Sequence, residues 1–194
     1  MIKYSRNDLI HWNYFIALER DLENVSRYIE FSTKNEKTYS IEIAKILMSS
    51  SSEIDVLLKM ICSLYNTSTD SINQYRDCIK ANCPQIIDEE FYINRFSLSS
   101  KPWINWNSIP IKNPDWWTSY NNVKHQRNLY YEDANIKNVI NSLAALLITN
   151  IYYYKIKSGN DDYKDTTRQL VPESILYKLK DKYYYSNVLV GSYA

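Results

Sequence analysis

Two long stretches dominate the sequence: YSIEIAKILMSSSSEIDVLLKMICSL (39–64) and ANIKNVINSLAALLITNIYYYKIK (134–157). In the first, Ile43, Leu47, Ile54, Leu57, Ile61 and Leu64 recur at three- and four-residue steps once Ser50 fills the place between Leu47 and Ile54. In the second, Ile136, Ile140, Leu143, Leu147, Ile151 and Tyr154 do the same. Such a period fits one face of an α-helix and no strand, so both stretches are expected to be helices that bury a common stripe. Opposite the second stripe stand Asn138, Ser142, Ala145 and Thr149, small enough for another helix to approach closely.

Two more segments share the period. Phe15, Leu18, Leu22, Val25 and Ile29 predict a helix over about residues 8–31, with Asn7 or Asp8 as its cap. NTSTD (66–70) offers caps for a shorter helix that must stop by Pro84. From 91 to 114 the period is lost. FYINRFSLSSKPWINWNSIPIKNP holds three of the five prolines and reads as an irregular insertion with two short strands. GNDDYKD (159–165) reads as a polar linker, and ILYKLKDKYYYSNVLV (175–190) as a small hairpin or docked β-like extension. The expected fold is mainly α, a bundle of four to five helices with the insertion at about 91–114 and a C-terminal β-like tail. Residues 1–157 form the helical domain, and 158–194 a linker and docked extension of it.

Composition narrows the function. With 45% hydrophobic and 23% charged residues the chain is globular, and its formal charge of +1 argues against a dominant basic surface for duplex nucleic acid while leaving room for a local basic patch. Two glycines leave no glycine-rich phosphate loop, which excludes P-loop and Rossmann nucleotide enzymes. Cys62, Cys78 and Cys83 contain no CxxC pair, and only two histidines accompany them. No metal site or cofactor is therefore expected, and the cysteines read as free thiols in a reducing compartment, Cys62 as a small core residue. The N-terminus lacks a secretion pattern and no apolar run reaches membrane-spanning length, so a cytoplasmic protein is expected.

The chemistry concentrates in DWWTSYNNVKHQRN (115–128), a helix for which Pro114 suits the first turn. Trp116, Tyr120, Val123 and Arg127 share one face; Trp117, Asn121, Lys124, His125 and Asn128 share another. His125 and Arg127 lie roughly 200° apart on an unbroken helix, so they cooperate within one subunit only if the helix breaks near His125. The candidate site is Lys124, His125 and, conditionally, Arg127, with Tyr120, Asn121 and Asn128 as binding residues. The plainer reading packs Trp116 and Tyr120 into the bundle and leaves Lys124 and His125 solvated.

A second polar cluster lies in 39–64. Ser50 occupies the apolar stripe and Glu53 borders it, where a carboxylate needs a partner. Lys124, His125 or Arg127 is the expected partner. Asp55 and Lys59, four apart, are expected to pair on the surface beside the site. Tryptophans near prolines usually fasten a loop to a core, so Trp116 and at least one of Trp103 and Trp106 should be buried.

The stretches TYSIEIAKILMSSSSEIDVLLK, WWTSYNNVKHQR and EDANIKNVINSLAALLITNIYYY together resemble the HEPN-like helical superfamily over about residues 10–157. The resemblance implies two long antiparallel helices, a homodimer, and a place in bacterial defence or toxin–antitoxin systems. It also implies binding of RNA, nucleotide or a protein partner, or metal-independent ribonuclease activity. Ribonucleases of that group place arginine four to six residues before histidine. His125 has no basic residue at that spacing, and its surroundings read Lys124-His125-x-Arg127. The spacing occurs at Arg6 to His11, at the opposite end of the domain, where it reads as a chance match. Three functions follow for Lys124-His125-Arg127: a binding module, a homodimeric ribonuclease with His125 as acid/base, or a structural assembly domain without ligand.

Overall fold

The computed structural model describes residues 9–184. It is mainly helical, with α1 (Ile10–Val25), α2 (Ile41–Leu64), α3 (Ile72–Asn82), α4 (Asp115–Tyr130), α5 (Ile136–Ser158) and α6 (Tyr163–Gln169). One small antiparallel sheet, β1 (Phe91–Ile93) and β2 (Leu98–Ser100), sits in the insertion and pairs Phe91 with Ser100 and Ile93 with Leu98.

Caps set several boundaries. Ser40 accepts from the Ile43 N–H and starts α2; Asn135 accepts from the Asn138 N–H and starts α5. Gly159, at φ 67°, closes α5 in the left-handed region. Helix α1 is shorter than its apolar period predicts. After Val25 the chain turns through Arg27 N–H to Asn24 O and Tyr28 N–H to Val25 O, while the Ser26 hydroxyl donates to Glu23 O. Asn7 and Asp8 lie outside the described residues, and Leu9 occupies the cap position. The expected polar linker instead contains α6, which Asp162 caps by accepting from the Lys164 N–H.

Helix α5 is the axis of the bundle. Every residue from Ser142 to Tyr154 is buried, so it is covered on all sides. Its main partner is α2, and the small residues explain the close approach: Ser142 meets Ser50 and Ser51 through their hydroxyls. Ser50, out of place on an apolar stripe, thus has a partner and also donates to Leu47 O. The two longest helices run parallel, contrary to the antiparallel pair that the resemblance implied. They begin side by side, where Ile136 N–H donates to Thr38 O and Tyr39 bridges Asn135. Antiparallel neighbours of α2 are α1, whose His11 meets Glu53 while Asp21 lies near Lys45, and α4, whose Tyr120 lies near Lys59 while Arg127 meets Lys45 across a cleft. The reason is connectivity: the chain makes an extra crossing through α4 before α5 descends.

The insertion is fastened by indoles. Trp103, Trp106 and Trp116 are fully buried, with ring centroids 4.5 Å and 5.1 Å apart, and Trp116 Nε1 donates to Pro102 O at 2.9 Å. Residues 171–184 form a strap over α1 and α5 rather than a hairpin. Tyr92 and Lys178 exchange backbone hydrogen bonds of 2.8 Å, and Trp12 Nε1 donates to Pro172 O. The rest of the expected tail, from residue 185, lies outside the described residues. All three cysteines are free and buried, and burial pushes the Cys62 and Cys83 thiols up to about 12.

Candidate functional site

The expected site segment divides in two. Trp116, Trp117, Ser119, Tyr120 and Val123 face the core, whereas every residue from Lys124 to Tyr130 is exposed. The last two turns of α4 therefore project from the bundle. Tyr120 is only 5% exposed and its ring is covered by the Lys124 ammonium 5.3 Å from the centroid, so it offers no open face for stacking. Asn121 spends its amide on Trp117 O at 3.1 Å. Lys124 and His125 are solvated side chains on the projecting end, as the plainer reading held.

The condition for Arg127 is met, with a different result. Helix α4 breaks at Gln126, whose φ of −142° and ψ of 50° are not helical. The break re-aims the residues that follow. Arg127 and Asn128 turn onto the N-terminal half of α2, where they line a cleft with Ile41, Ala44, Lys45, Met48, Ser49 and Tyr131. His125 is not part of that lining. The cleft encloses about 760 Å³, within the ~300–1,000 Å³ usual for ligand clefts. Its floor is apolar, from Ile41, Ala44 and Met48, and its rim carries two cations. Lys45 is bonded to Glu42 at 2.8 Å on the exposed surface; Arg127 has no ion-pair partner among the described residues. Tyr131 is held edge-on by Tyr39, centroids 5.3 Å apart.

Glu53 does not meet Lys124, His125 or Arg127. Its partner is His11, whose Nδ1 donates to Glu53 Oε1 at 2.5 Å with both side chains largely buried, 12% and 18% exposed. The expectation failed because α1, not the end of α4, crosses α2 at Glu53. The Tyr153 ring stands edge-on to the imidazole at 5.4 Å, and Lys157 lies over Tyr153. His11 Nε2 has no hydrogen-bond partner among the described residues. A carboxylate thus fixes one imidazole nitrogen and sets the tautomer, an arrangement that also serves proton transfer. Neither His11 nor Glu53 is part of the cleft lining.

Asp55 and Lys59 pair at 2.8 Å as the four-residue spacing implied, and Tyr75 OH donates to the other Asp55 oxygen at 2.9 Å. The hydrogen bond to Asp55 holds the Lys59 ammonium above its ordinary pKa. This pair belongs to the α2–α3 seam and not to the cleft. Among the described residues, no group of three His, Cys, Asp or Glu side chains is placed to hold a metal ion. No described helix is long and apolar enough to cross a membrane.

Sequence reasoning missed His11 as the carboxylate's partner, and Lys45 and Tyr131 as lining residues. The Arg6-to-His11 spacing, read as a chance match, gives no pointer to Glu53; that meeting needs the α1–α2 register, which a single helix pattern does not carry. No family model, curated protein or solved structure matches the chain.

Proposed function

We propose that the chain is an HEPN-like module of a bacterial defence or toxin–antitoxin type system, working as a homodimer, that holds single-stranded RNA in the α2–α4 cleft. The observation that carries this reading is the convergence of Arg127 and Lys45 with Tyr131 and an apolar floor on one open surface. Phosphates take the two cations, a base lies over Met48 and Ile41 against Tyr131, and Asn128 supplies donors and an acceptor to a base edge. The balanced overall charge suits a local strand contact better than duplex binding.

Fluorescence anisotropy with a labelled RNA oligonucleotide tests it. Arg127→Ala is expected to weaken binding about 10- to 100-fold, as loss of a charge-assisted contact of about 1.5–3 kcal/mol. The same change should lower the salt slope by about one charge. His125→Ala should leave affinity within about twofold, as for an exposed residue outside the cleft. Unchanged binding in both Arg127→Ala and Lys45→Ala would sink the reading. Absence of any RNA binding would leave the structural assembly reading.

One observation favours a second reading, a metal-independent ribonuclease in which His11 replaces His125 as the acid/base. Nε2 of His11 takes the proton from a 2′-hydroxyl, the 2′-oxygen bonds to phosphorus as the P–O5′ bond breaks, and the imidazolium, stabilised by Glu53, returns the proton to the leaving 5′-oxygen. RNA cleavage that persists in chelator and falls about 10²- to 10⁴-fold in His11→Ala, but not in His125→Ala, is the expected outcome. RNA that is bound and never cut would exclude it.

A further inference from the structure

A carboxylate just ahead of the insertion is buried among aromatic rings. Glu89 follows the turn Pro84–Asp88 and is only 2% exposed. Three tyrosines stand around it: Tyr152 of α5, Tyr163 of α6 and Tyr183 of the turn Asp181–Tyr183. The Tyr152 hydroxyl donates to Glu89 Oε1 at 3.1 Å and accepts from the Tyr183 hydroxyl at 3.5 Å. The Tyr163 ring packs on both others, its centroid 5.2 Å from that of Tyr152 and 4.9 Å from that of Tyr183. Burial raises the pKa of all three phenols, so they stay neutral and present ring faces and hydroxyls rather than negative charge.

Lys182 enters this enclosure from the solvent side. Its ammonium donates to Glu89 Oε1 at 2.6 Å and lies 4.8 Å from the Tyr183 centroid and 5.7 Å from that of Tyr163. Ring faces around one carboxylate are the parts of a cage for an organic cation. Lys182 fills that cage incompletely. Glu89 Oε2 is sealed from solvent and has no hydrogen-bond partner among the described residues, a costly omission for a carboxylate. The tethered ammonium serves one oxygen only, whereas a free one carries several N–H donors and can turn to bridge both. Lys182 can leave by side-chain rotation, because its side chain is 49% exposed while Tyr183 beside it is fully buried and remains as a wall. A metal ion fits poorly, since it needs several ligand atoms and the cage offers a single carboxylate. Lys155 holds a second ammonium 4.9 Å from the Tyr163 centroid, a like charge that disfavours a polyamine.

We propose that Glu89, Tyr152, Tyr163 and Tyr183 form a binding site for a small, singly charged primary amine, with Lys182 as a built-in occupant that the ligand displaces. The amine donates to both Glu89 oxygens while its charge lies against the Tyr163 and Tyr183 faces. The cage shares no residue with the α2–α4 cleft, so it stands whether or not RNA binds there.

Thermal unfolding of the full chain in n-propylammonium chloride tests this, with sodium chloride at equal ionic strength as the control. n-Propylammonium supplies the atoms that Lys182→Ala removes. That variant is expected to melt below the wild type, and millimolar amine should raise its Tm saturably. The wild type should need roughly tenfold more amine, because Lys182 competes for the cage. Tetramethylammonium, which has no N–H to donate, should bind roughly tenfold more weakly than the primary amine. Adding Glu89→Gln to Lys182→Ala should abolish the response. No stabilisation of Lys182→Ala beyond the salt control overturns the inference. So does an equal response with Glu89→Gln present, or to tetramethylammonium. If circular dichroism shows Lys182→Ala unfolded, amide shifts of isotope-labelled wild type decide: amine-dependent shifts at Glu89, Tyr163 and Tyr183 are expected, and none at molar amine overturns the site.

Discussion

Glu19→Ala is expected to cost at least about 3 kcal/mol of stability and to detach the strap from the bundle. Glu19 is fully buried on α1, with no cation partner among the described residues. Its carboxylate is held by the strap itself. One oxygen accepts from the Ser174 hydroxyl and from the N–H groups of Leu176 and Tyr177, and the other from Ile175 N–H at 3.1 Å. Removing the carboxylate leaves several inward-pointing donors without an acceptor, the expensive way to lose a hydrogen bond. Glu19→Gln keeps the shape and one acceptor and should cost less, about 1–2 kcal/mol. Urea unfolding gives the magnitudes. Limited proteolysis should cut within 171–184 in Glu19→Ala and spare the wild type. Losses under about 1 kcal/mol for both variants would contradict this role.

Trp103→Ala is expected to destabilise the protein by about 3–5 kcal/mol, as a large side chain leaves a cavity that its neighbours cannot fill. Trp103 is fully buried between Trp106 and Trp116 and joins the insertion to α4. A fall in Tm of about 10 °C follows for a chain of this size, read by calorimetry. Among the described residues the indole N–H groups of Trp103 and Trp106 have no acceptor, so these two rings stabilise by apolar contact, while Trp116 adds its bond to Pro102 O. Trp103→Phe should therefore recover much of the loss. Ile109→Ala, on the same insertion but exposed, should stay within about 0.5 kcal/mol of the wild type. Equal effects at Trp103 and Ile109 would contradict the packing described.

The helices were legible because each long one carries its own period and caps. Ser40 and Asn135 stand where α2 and α5 begin, and Ser50 and Ser142 marked the close approach from opposite sides. The burial of Trp103, Trp106 and Trp116 followed from their proline-rich setting. Pairings between helices were not legible. Glu53 announced that it needed a partner, and the basic end of α4 was the expected one; His11 becomes the partner only through the α1–α2 register, which no single helix pattern carries. Glu19 carries a signal of burial in the sequence, standing four residues after Phe15 and three before Leu22, within the apolar face of α1. The break at Gln126 has no marker such as proline or glycine, so the turning of Arg127 into the cleft had to be seen. Short, charged α6 forms because Asp162 caps it and Tyr163 packs on Tyr152 of α5, centroids 5.2 Å apart. Neither cause shows in a hydrophobic pattern.

The central claim is that the cleft opened by the Gln126 break, and not the projecting Lys124-His125 end, receives RNA. Amide chemical shifts of isotope-labelled protein titrated with a short single-stranded RNA address it directly. The expected result is that saturable shifts cluster at Lys45, Met48, Ser49, Arg127, Asn128 and Tyr131. Shifts confined to Lys124 and His125, or none anywhere at saturating RNA, would contradict it.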